Sequence, residues 1–172
     1  MKDVMVDIEC FATSGTPVIV QVGACYFNRH TGEIGDEFKV NISPVDAQKY
    51  GGTLDAGTVS WWMEQSEAAR NSILAKPQEP IKSALARFRQ FIAPAKAVWS
   101  HATFDFVILN NVCSQLGLGK MRYGKARDIR TLVDLAQIEY KKVERDGLHH
   151  DALEDCKFQV KYCVLCFNAL KR

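Results

Sequence analysis

The stretch Val4-Met5-Val6-Asp7-Ile8-Glu9 is an apolar run that contains two carboxylates two residues apart. Because side chains alternate between the faces of a β-strand, Asp7 and Glu9 point to the same side. The two valines and the isoleucine point to the other side, where we expect them to pack into a core. Paired carboxylates in an apolar strand repel each other and lose hydration, and a bound cation offsets both costs. The alternative is an edge strand whose polar face meets solvent.

The composition limits the class of protein. The chain has 172 residues, of which 47% are hydrophobic and 24% are charged. This length suits a single domain over residues 1–172 with a sizeable core. A net charge of +2 excludes a strongly basic chain of the histone type but not a nucleic-acid enzyme, because acidic metal ligands offset local basic patches.

We expect a cytoplasmic protein with no membrane segment. No apolar run reaches the ~18 residues that a membrane-spanning helix needs, and the first residues lack the pattern of a signal peptide. The chain has six cysteines with no spacing typical of a disulfide scaffold. Cys163 and Cys166 form the one C-x-x-C pair, and without a second pair we expect buried thiols in a helix rather than structural zinc.

The hydrophobic pattern predicts an α/β fold with a mixed five-stranded sheet flanked by helices. Short connections between the first three predicted strands favour an antiparallel meander, and helical crossovers favour two further parallel strands. Turn residues and helix caps set the limits of these elements. The predicted strands cover 4–9, 17–27, 37–42, 97–100 and 126–129, and the predicted helices cover 61–75, 80–92, 104–116, 131–140 and 151–170.

Three more residues extend the acidic pattern. Asp105 is predicted to begin a helix, where the helix dipole alone favours a carboxylate. Asp155 lies at the flank of the apolar stripe of the last predicted helix, and His150 lies five residues before it. The simpler interpretation of His150 and Asp155 is that they are solvated polar residues at the start of a helix. In chain order the set is Asp7-x-Glu9, His101-x-x-Phe104-Asp105 and His150-x4-Asp155.

This ordered set resembles the DEDDh family of 3′-to-5′ exonucleases, in the branch similar to ribonuclease T and ribonuclease AS. The run 58–65, Thr-Val-Ser-Trp-Trp-Met-Glu-Gln, also resembles that branch. Each motif alone is weak, but three in the family's order on suitable elements are specific. The chain departs from the family by having His101 in place of a common Asn and Cys10 in place of Thr or Ser.

The resemblance implies a ribonuclease H-like fold and a site for two Mg²⁺ or Mn²⁺ ions. It implies that Asp7 binds both ions, that Glu9 and Asp155 complete the ion holding the nucleophilic water, and that Asp105 serves the second ion. His150 is implied as the general base, because an ordinary pKa near ~6.5 suits proton transfer at neutral pH. The polar, glycine-containing segment 146–150 predicts that the His150 side chain swings in only with substrate.

Substrate contacts are predicted with alternatives. Phe11 and Phe104 flank the acidic motifs and suit stacking on bases, although both also suit an ordinary core. Trp61 is a further candidate, and His101 is a candidate for positioning substrate. The basic residues of 120–130 suit either phosphate contacts or a solvated surface.

We therefore expect a metal-dependent 3′-5′ exonuclease that acts on the 3′ ends of RNA or of single-stranded or overhanging DNA. The resemblance also implies a homodimer. Two alternatives remain open at this point. One is a nucleic-acid-binding module on the same scaffold with little catalysis, and the other is a ribonuclease H-like endonuclease.

Overall fold

The computed structural model describes residues Met1–Lys171 and contains the predicted mixed five-stranded sheet. The strand order is β3-β2-β1-β4-β5. The first three strands pair antiparallel, and β4 and β5 continue the sheet in parallel on the other side of β1. The α/β fold class is confirmed. The strands are β1 Asp3–Cys10, β2 Ile19–Phe27, β3 Ile34–Asn41, β4 Ala97–Ser100 and β5 Ala126–Asp128.

Seven α-helices of the described chain flank the sheet, and the longest is the last. Two short 3-10 turns, Tyr123–Lys125 and Tyr140–Lys142, lie in the connections before β5 and before the last helix. The helices are α1 Pro44–Lys49, α2 Ala56–Glu64, α3 Glu67–Leu74, α4 Ile81–Ile92, α5 Asp105–Gln115, α6 Ile129–Ala136 and α7 Ala152–Ala169.

The edge-strand alternative for the opening stretch is wrong, because β1 lies in the middle of the sheet and is buried throughout. Val4, Val6 and Ile8 join a core beneath α4 and α5, as their alternation predicts. Met5 points to the other face and packs against the cysteine-rich side of α7. All six cysteines are free and buried. No helix within residues 1–171 is long and apolar enough to cross a membrane.

Two helix predictions were wrong in their limits. The predicted helix 61–75 is two helices, because Asp55 and Ser66 each accept a hydrogen bond from the backbone of a first turn. Gln65 between them has an extended backbone. The helix predicted over 131–140 lies at 129–136, because Asp128 caps its start and Gln137 ends it in a left-handed conformation.

The start of α7 is fixed against the two central strands. Ala152 donates its backbone N–H to Gln21 Oε1 at 2.7 Å, and Gln21 is completely buried in β2. Gly23, also in β2, pairs in register with Asp7. A Cβ at Gly23 would lie within 3.0 Å of the backbone of Ala152 and Leu153. The close approach of α7 to β1 and β2 therefore requires glycine at this position.

Gly23→Ala is expected to lower the free energy of unfolding by about 2 kcal/mol, because neither the strand nor the helix backbone can yield without disturbing the core. The measurement is urea denaturation followed by circular dichroism. Gly124→Ala is the matched control, since a Cβ there meets no atom within 4 Å. Its effect should stay within about 0.5 kcal/mol. Equal stability of the two variants would contradict a backbone contact at Gly23.

Candidate active site

The fold brings the three acidic motifs to one edge of the sheet. Asp7 and Glu9 lie near the carboxyl end of β1, and Asp105 begins the helix that follows β4. Because β1 and β4 are parallel neighbours, their carboxyl ends meet at the same edge. His150 and Asp155 reach this edge from the first turn of α7 and the residues before it. The residues that the sequence predicts for the site are therefore neighbours in space.

The side chains form two donor groups suited to a cation. In each group, one ligand atom per residue lies within 4.8 Å of the others. The first group is Asp7, His101 and Asp105, and the second is Glu9, His150 and Asp155. Carboxylate oxygens are the ligands that Mg²⁺ and Mn²⁺ prefer, so the donor set fits divalent ions of this kind.

Asp105 is held rigidly and is only 1% exposed. Its carboxylate accepts hydrogen bonds from the backbone N–H of Ile8 at 3.3 Å and of His101 at 2.9 Å. A helix dipole favours a carboxylate at this position but does not require burial. The burial of Asp105 and its two backbone hydrogen bonds are therefore not explained by its position at the start of a helix alone.

Asp7 is positioned by a residue that the sequence analysis missed. Gln159 donates from Nε2 to Asp7 Oδ1 at 2.7 Å, and both side chains are buried. Gln159 lies one helical turn after Asp155 in α7, so both project from the same face. That spacing could have identified Gln159 from the sequence, because a buried glutamine on the apolar side of a helix needs a polar partner.

Burial places three of the acids in an unfavourable environment for charge. It raises the pKa of Asp7 well above its usual range, and the charges of Asp105 and Glu9 raise it further. Burial and the charges of Asp105 and Asp151 raise the pKa of Glu9 to about 8. Burial also raises the pKa of Asp105 to about 7, against hydrogen bonds from the backbone that lower it. Without a cation the cluster therefore retains protons at neutral pH.

Arg145 supplies a cation that the sequence analysis did not anticipate. Its guanidinium forms an ion pair with the carboxylate of Asp155, and both side chains are largely buried. Its Cζ lies 4.8 Å from the ring centre of Phe158. The positive charge lowers the pKa of both Asp7 and Glu9. Arg145 belongs to no motif of the chain, and it reaches the site only because its segment folds over α7.

His150 is half-buried and lies against two tryptophans. Its backbone φ of 60° is in the left-handed region, and its ring centre is 4.8 Å from that of Trp61 and 5.8 Å from that of Trp62. The expectation that His150 swings in only with substrate is not supported, because the ring already packs beside the acids. Burial, His149 and Arg145 lower its pKa, so the imidazole is neutral at pH 7.

The predicted substrate residues occupy different environments. Trp61 is 42% exposed, whereas Trp62 is 3% exposed and donates from its indole to the Cys10 carbonyl at 3.0 Å. Phe11 is partly buried and packs edge-on against Trp62 at 6.5 Å. Burial, together with the charge of Arg130, lowers the pKa of His101 to about 4, so His101 is neutral and not a phosphate-binding cation.

Two cavities meet the acidic cluster and share no lining residue. One, the Trp61 cavity, has a volume of about 550 Å³ and is lined by Glu9, Thr58, Trp61 and Phe104, among others. The other, the α6–α7 cavity, has a volume of about 710 Å³. It meets the cluster at Asp7 and Asp155 and extends along α6 and α7. The cluster thus lies between two open cavities.

Solved structures with a similar fold are 3′ exonucleases. A 3′-exonuclease described by its 3′-end specific recognition of histone mRNA stem-loop matches with a TM-score of 0.69 and 17% identity, over 96% of this chain and 81% of that one. The nuclease domain of 3′hExo, a DEDDh family member bound to rAMP, matches with a TM-score of 0.62 and 17% identity, over 96% and 91%. Exonuclease X in complex with 5′ overhanging duplex DNA matches with a TM-score of 0.56 and 14% identity, over 98% and 91%.

The fold is thus ribonuclease H-like, as the resemblance implied. A search of curated proteins found no significant match. The family model described as the 3′-5′ exoribonuclease Rv2179c-like domain matches residues 2–167, which is nearly the whole chain. The chain therefore belongs to the Rv2179c-like 3′-5′ exoribonuclease domain family.

Proposed function

We propose that the chain is a metal-dependent exonuclease that removes nucleotides one at a time from the 3′ end of RNA, or of single-stranded or overhanging DNA. Its products are nucleoside 5′-monophosphates and a shortened strand. The observation that carries the proposal is the convergence of Asp7, Glu9, Asp105, Asp155 and His150 at one edge of the sheet. The exoribonuclease family favours RNA.

We propose that the two donor groups hold two Mg²⁺ or Mn²⁺ ions. The first group offers Asp7 and Asp105, and the second offers Glu9 and Asp155. When bound, such a pair of ions stabilises the negative charge on the attacking and leaving oxygens of a phosphodiester hydrolysis. Four carboxylates match the charge of two divalent ions, and the raised pKa values of Asp7, Glu9 and Asp105 mean that the surrounding protein does not stabilise their charged forms.

His150 is proposed as the general base. It is neutral at pH 7 and lies within reach of Glu9 and Asp155, so a ring nitrogen is free to accept the proton of a water molecule held beside these carboxylates. The water oxygen forms a bond to phosphorus while the bond from phosphorus to the 3′ oxygen of the preceding nucleotide breaks. The departing 3′ oxygen then takes a proton from solvent.

The terminal nucleoside is proposed to occupy the Trp61 cavity. The exposed ring of Trp61 offers a stacking surface, and Phe104 lines the same cavity. Phe11 is proposed to act by packing against Trp62. His101 is proposed to position substrate as a neutral hydrogen-bonding group, since it lies beside Asp7 and Asp105.

Three further predictions concern the whole protein. We propose that residues 1–172 form one exonuclease domain, that it acts as a homodimer and that it is cytoplasmic. The dimer rests on the family resemblance, and sedimentation equilibrium at several concentrations tests it. The cytoplasmic location is supported by the six buried free thiols, which suit a reducing compartment.

The main test uses 5′-labelled RNA and DNA oligonucleotides with Mg²⁺, Mn²⁺ or chelator. The wild-type protein should produce a ladder shortened stepwise from the 3′ end, and chelator should abolish it. Asp7→Asn should reduce hydrolysis at least about 10³-fold, because Asp7 belongs to the first donor group and, as the family resemblance implies, also binds the second ion. The same change should raise the melting temperature of the metal-free protein, since it removes one of the repelling carboxylates.

Asp36→Asn is the matched control, because Asp36 is an exposed acid of β3 outside the cluster. It should leave both hydrolysis and melting unchanged. Binding of the oligonucleotides without shortening would favour the binding-module alternative. Cleavage of a circular single strand would instead favour the endonuclease.

The metal-free protein should lose stability as pH rises from about 5 to about 8. Burial raises the pKa of Glu9 from its ordinary 4.5 to about 8, so the folded chain keeps a proton that the unfolded chain releases. A group that binds its proton more tightly in the folded state stabilises folding at low pH, and that contribution is lost as pH rises. The loss should be smaller in Glu9→Gln, measured by differential scanning fluorimetry. Mn²⁺ should therefore raise the melting temperature more at pH 8 than at pH 6, and a larger shift at pH 6 would contradict the argument.

Arg145→Gln should tighten Mn²⁺ binding, because Arg145 pairs with a carboxylate that we assign to an ion. A roughly threefold to tenfold lower dissociation constant, measured by isothermal titration calorimetry, is expected from the loss of a competing cation. Lys142→Gln is the control, since Lys142 is an exposed cation of the same segment that pairs with Glu139 instead. Weaker Mn²⁺ binding by Arg145→Gln would show that Arg145 supports the metal site rather than competing with it.

A further inference from the structure

We propose that the α6–α7 cavity binds the nucleotide on the 5′ side of the scissile phosphate, with its base against Tyr140 and its phosphate near Arg130. The ligand is thus the penultimate nucleotide of a single strand. This proposal rests on the proposed function and extends it, because it assigns a second nucleotide site and the residues that form it.

The position of the cavity is the first argument. Hydrolysis of a terminal phosphodiester requires one nucleotide on each side of the bond that breaks. The Trp61 cavity meets the acidic cluster at Glu9, whereas the α6–α7 cavity meets it at Asp7 and Asp155. A strand whose last nucleoside fills the Trp61 cavity and whose phosphate lies at the cluster therefore continues toward the α6–α7 cavity.

The size and walls of the cavity are the second argument. Its volume of about 710 Å³ lies within the range of sites that bind small organic ligands. One wall is apolar and aromatic and includes Val133, Ile138 and Phe158. A base suits such a wall, because stacking on aromatic rings does not depend on base identity.

Tyr140 provides the stacking surface. It belongs to the 3-10 turn Tyr140–Lys142 and is 40% exposed. Its ring centre lies 5.2 Å from that of Tyr162, which is 3% exposed and packs against Phe158 at 5.4 Å. Tyr162 thus supports Tyr140 from one side, and the exposed part of Tyr140 lines the cavity. A large aromatic side chain that is supported but exposed suits a base-binding surface.

Arg130 provides the positive charge near the acidic cluster. It lies in the first turn of α6, is exposed and has no ion-pair partner among residues 1–171. It lines the α6–α7 cavity together with His101, Asp7 and Asp155, which places it beside the site. Two carboxylates, Asp134 and Glu139, line the same cavity. They disfavour a phosphate there, so the favourable position for the phosphate is the wall formed by Arg130.

The test compares substrates that have or lack an upstream nucleotide. The probe without one is the p-nitrophenyl ester of a nucleoside 5′-monophosphate, and the others are oligonucleotides of two, three and six residues. Tyr140→Ala and Arg130→Ala should each raise the KM of the oligonucleotides at least about fivefold more than the KM of the ester. The difference should appear already with the dinucleotide, because the site holds the penultimate nucleotide.

The controls match each variant in residue type. Tyr123→Ala removes a tyrosine that is 88% exposed and lies in the other 3-10 turn. Arg127→Ala removes an exposed arginine three residues from Arg130 whose guanidinium contacts the backbone of its own loop. Both controls should leave the ratio of the two KM values unchanged. Thermal melting of each variant shows that the fold is retained.

A direct binding measurement separates this proposal from the proposed function. Fluorescence anisotropy of a labelled hexanucleotide in Ca²⁺ reports binding whether or not hydrolysis occurs. Weaker binding by Tyr140→Ala and Arg130→Ala than by their controls supports the second nucleotide site even if the wild-type protein hydrolyses neither substrate. The proposal is overturned if each variant binds the hexanucleotide as tightly as its control does. It is also overturned if Tyr140→Ala and Arg130→Ala raise the KM of the ester as much as the KM of the oligonucleotides.

Discussion

The candidate active site depends on the burial of several carboxylates at one edge of a central strand. Desolvation and mutual repulsion raise the pKa of Asp7, Glu9 and Asp105 far above their usual range. A fold gains nothing in stability from such an arrangement, because apolar side chains of similar volume would pack there without that cost. The cluster is therefore explained by what it binds, and the surrounding structure must supply the stability that it loses.

The packing of α7 against the sheet contributes to that stability. Gly23 pairs with Asp7 across β1 and β2, and its lack of a side chain lets the backbone of Ala152 approach. Gln21, two residues earlier, accepts a hydrogen bond from the first residue of α7. The same contacts that anchor the helix also bring Asp155 within reach of Glu9. Packing and site geometry are thus set by one close approach.

The sequence allowed prediction of the features that depend on local pattern. The alternation in the opening stretch predicted both the buried face of β1 and the shared direction of Asp7 and Glu9, and short connections predicted the antiparallel pairing of the first three strands. Helix ends that are set by side-chain caps were harder to predict from the sequence. Apolar spacing runs through residues 61–75 without a break, whereas Ser66 begins a new helix because its side chain accepts a backbone hydrogen bond.

The two site residues missed from the sequence, Gln159 and Arg145, differ in whether a helical repeat relates them to one of the motifs. Gln159 was accessible in principle, since it follows Asp155 by one turn on the same helical face. Arg145 was not, because its contact with the cluster depends on how residues 143–151 fold over α7. This segment also contains His150, so a single loop delivers both a cation and an imidazole to the carboxylates. A site whose acids come from strands and helices holds those acids more precisely than the groups that come from a loop.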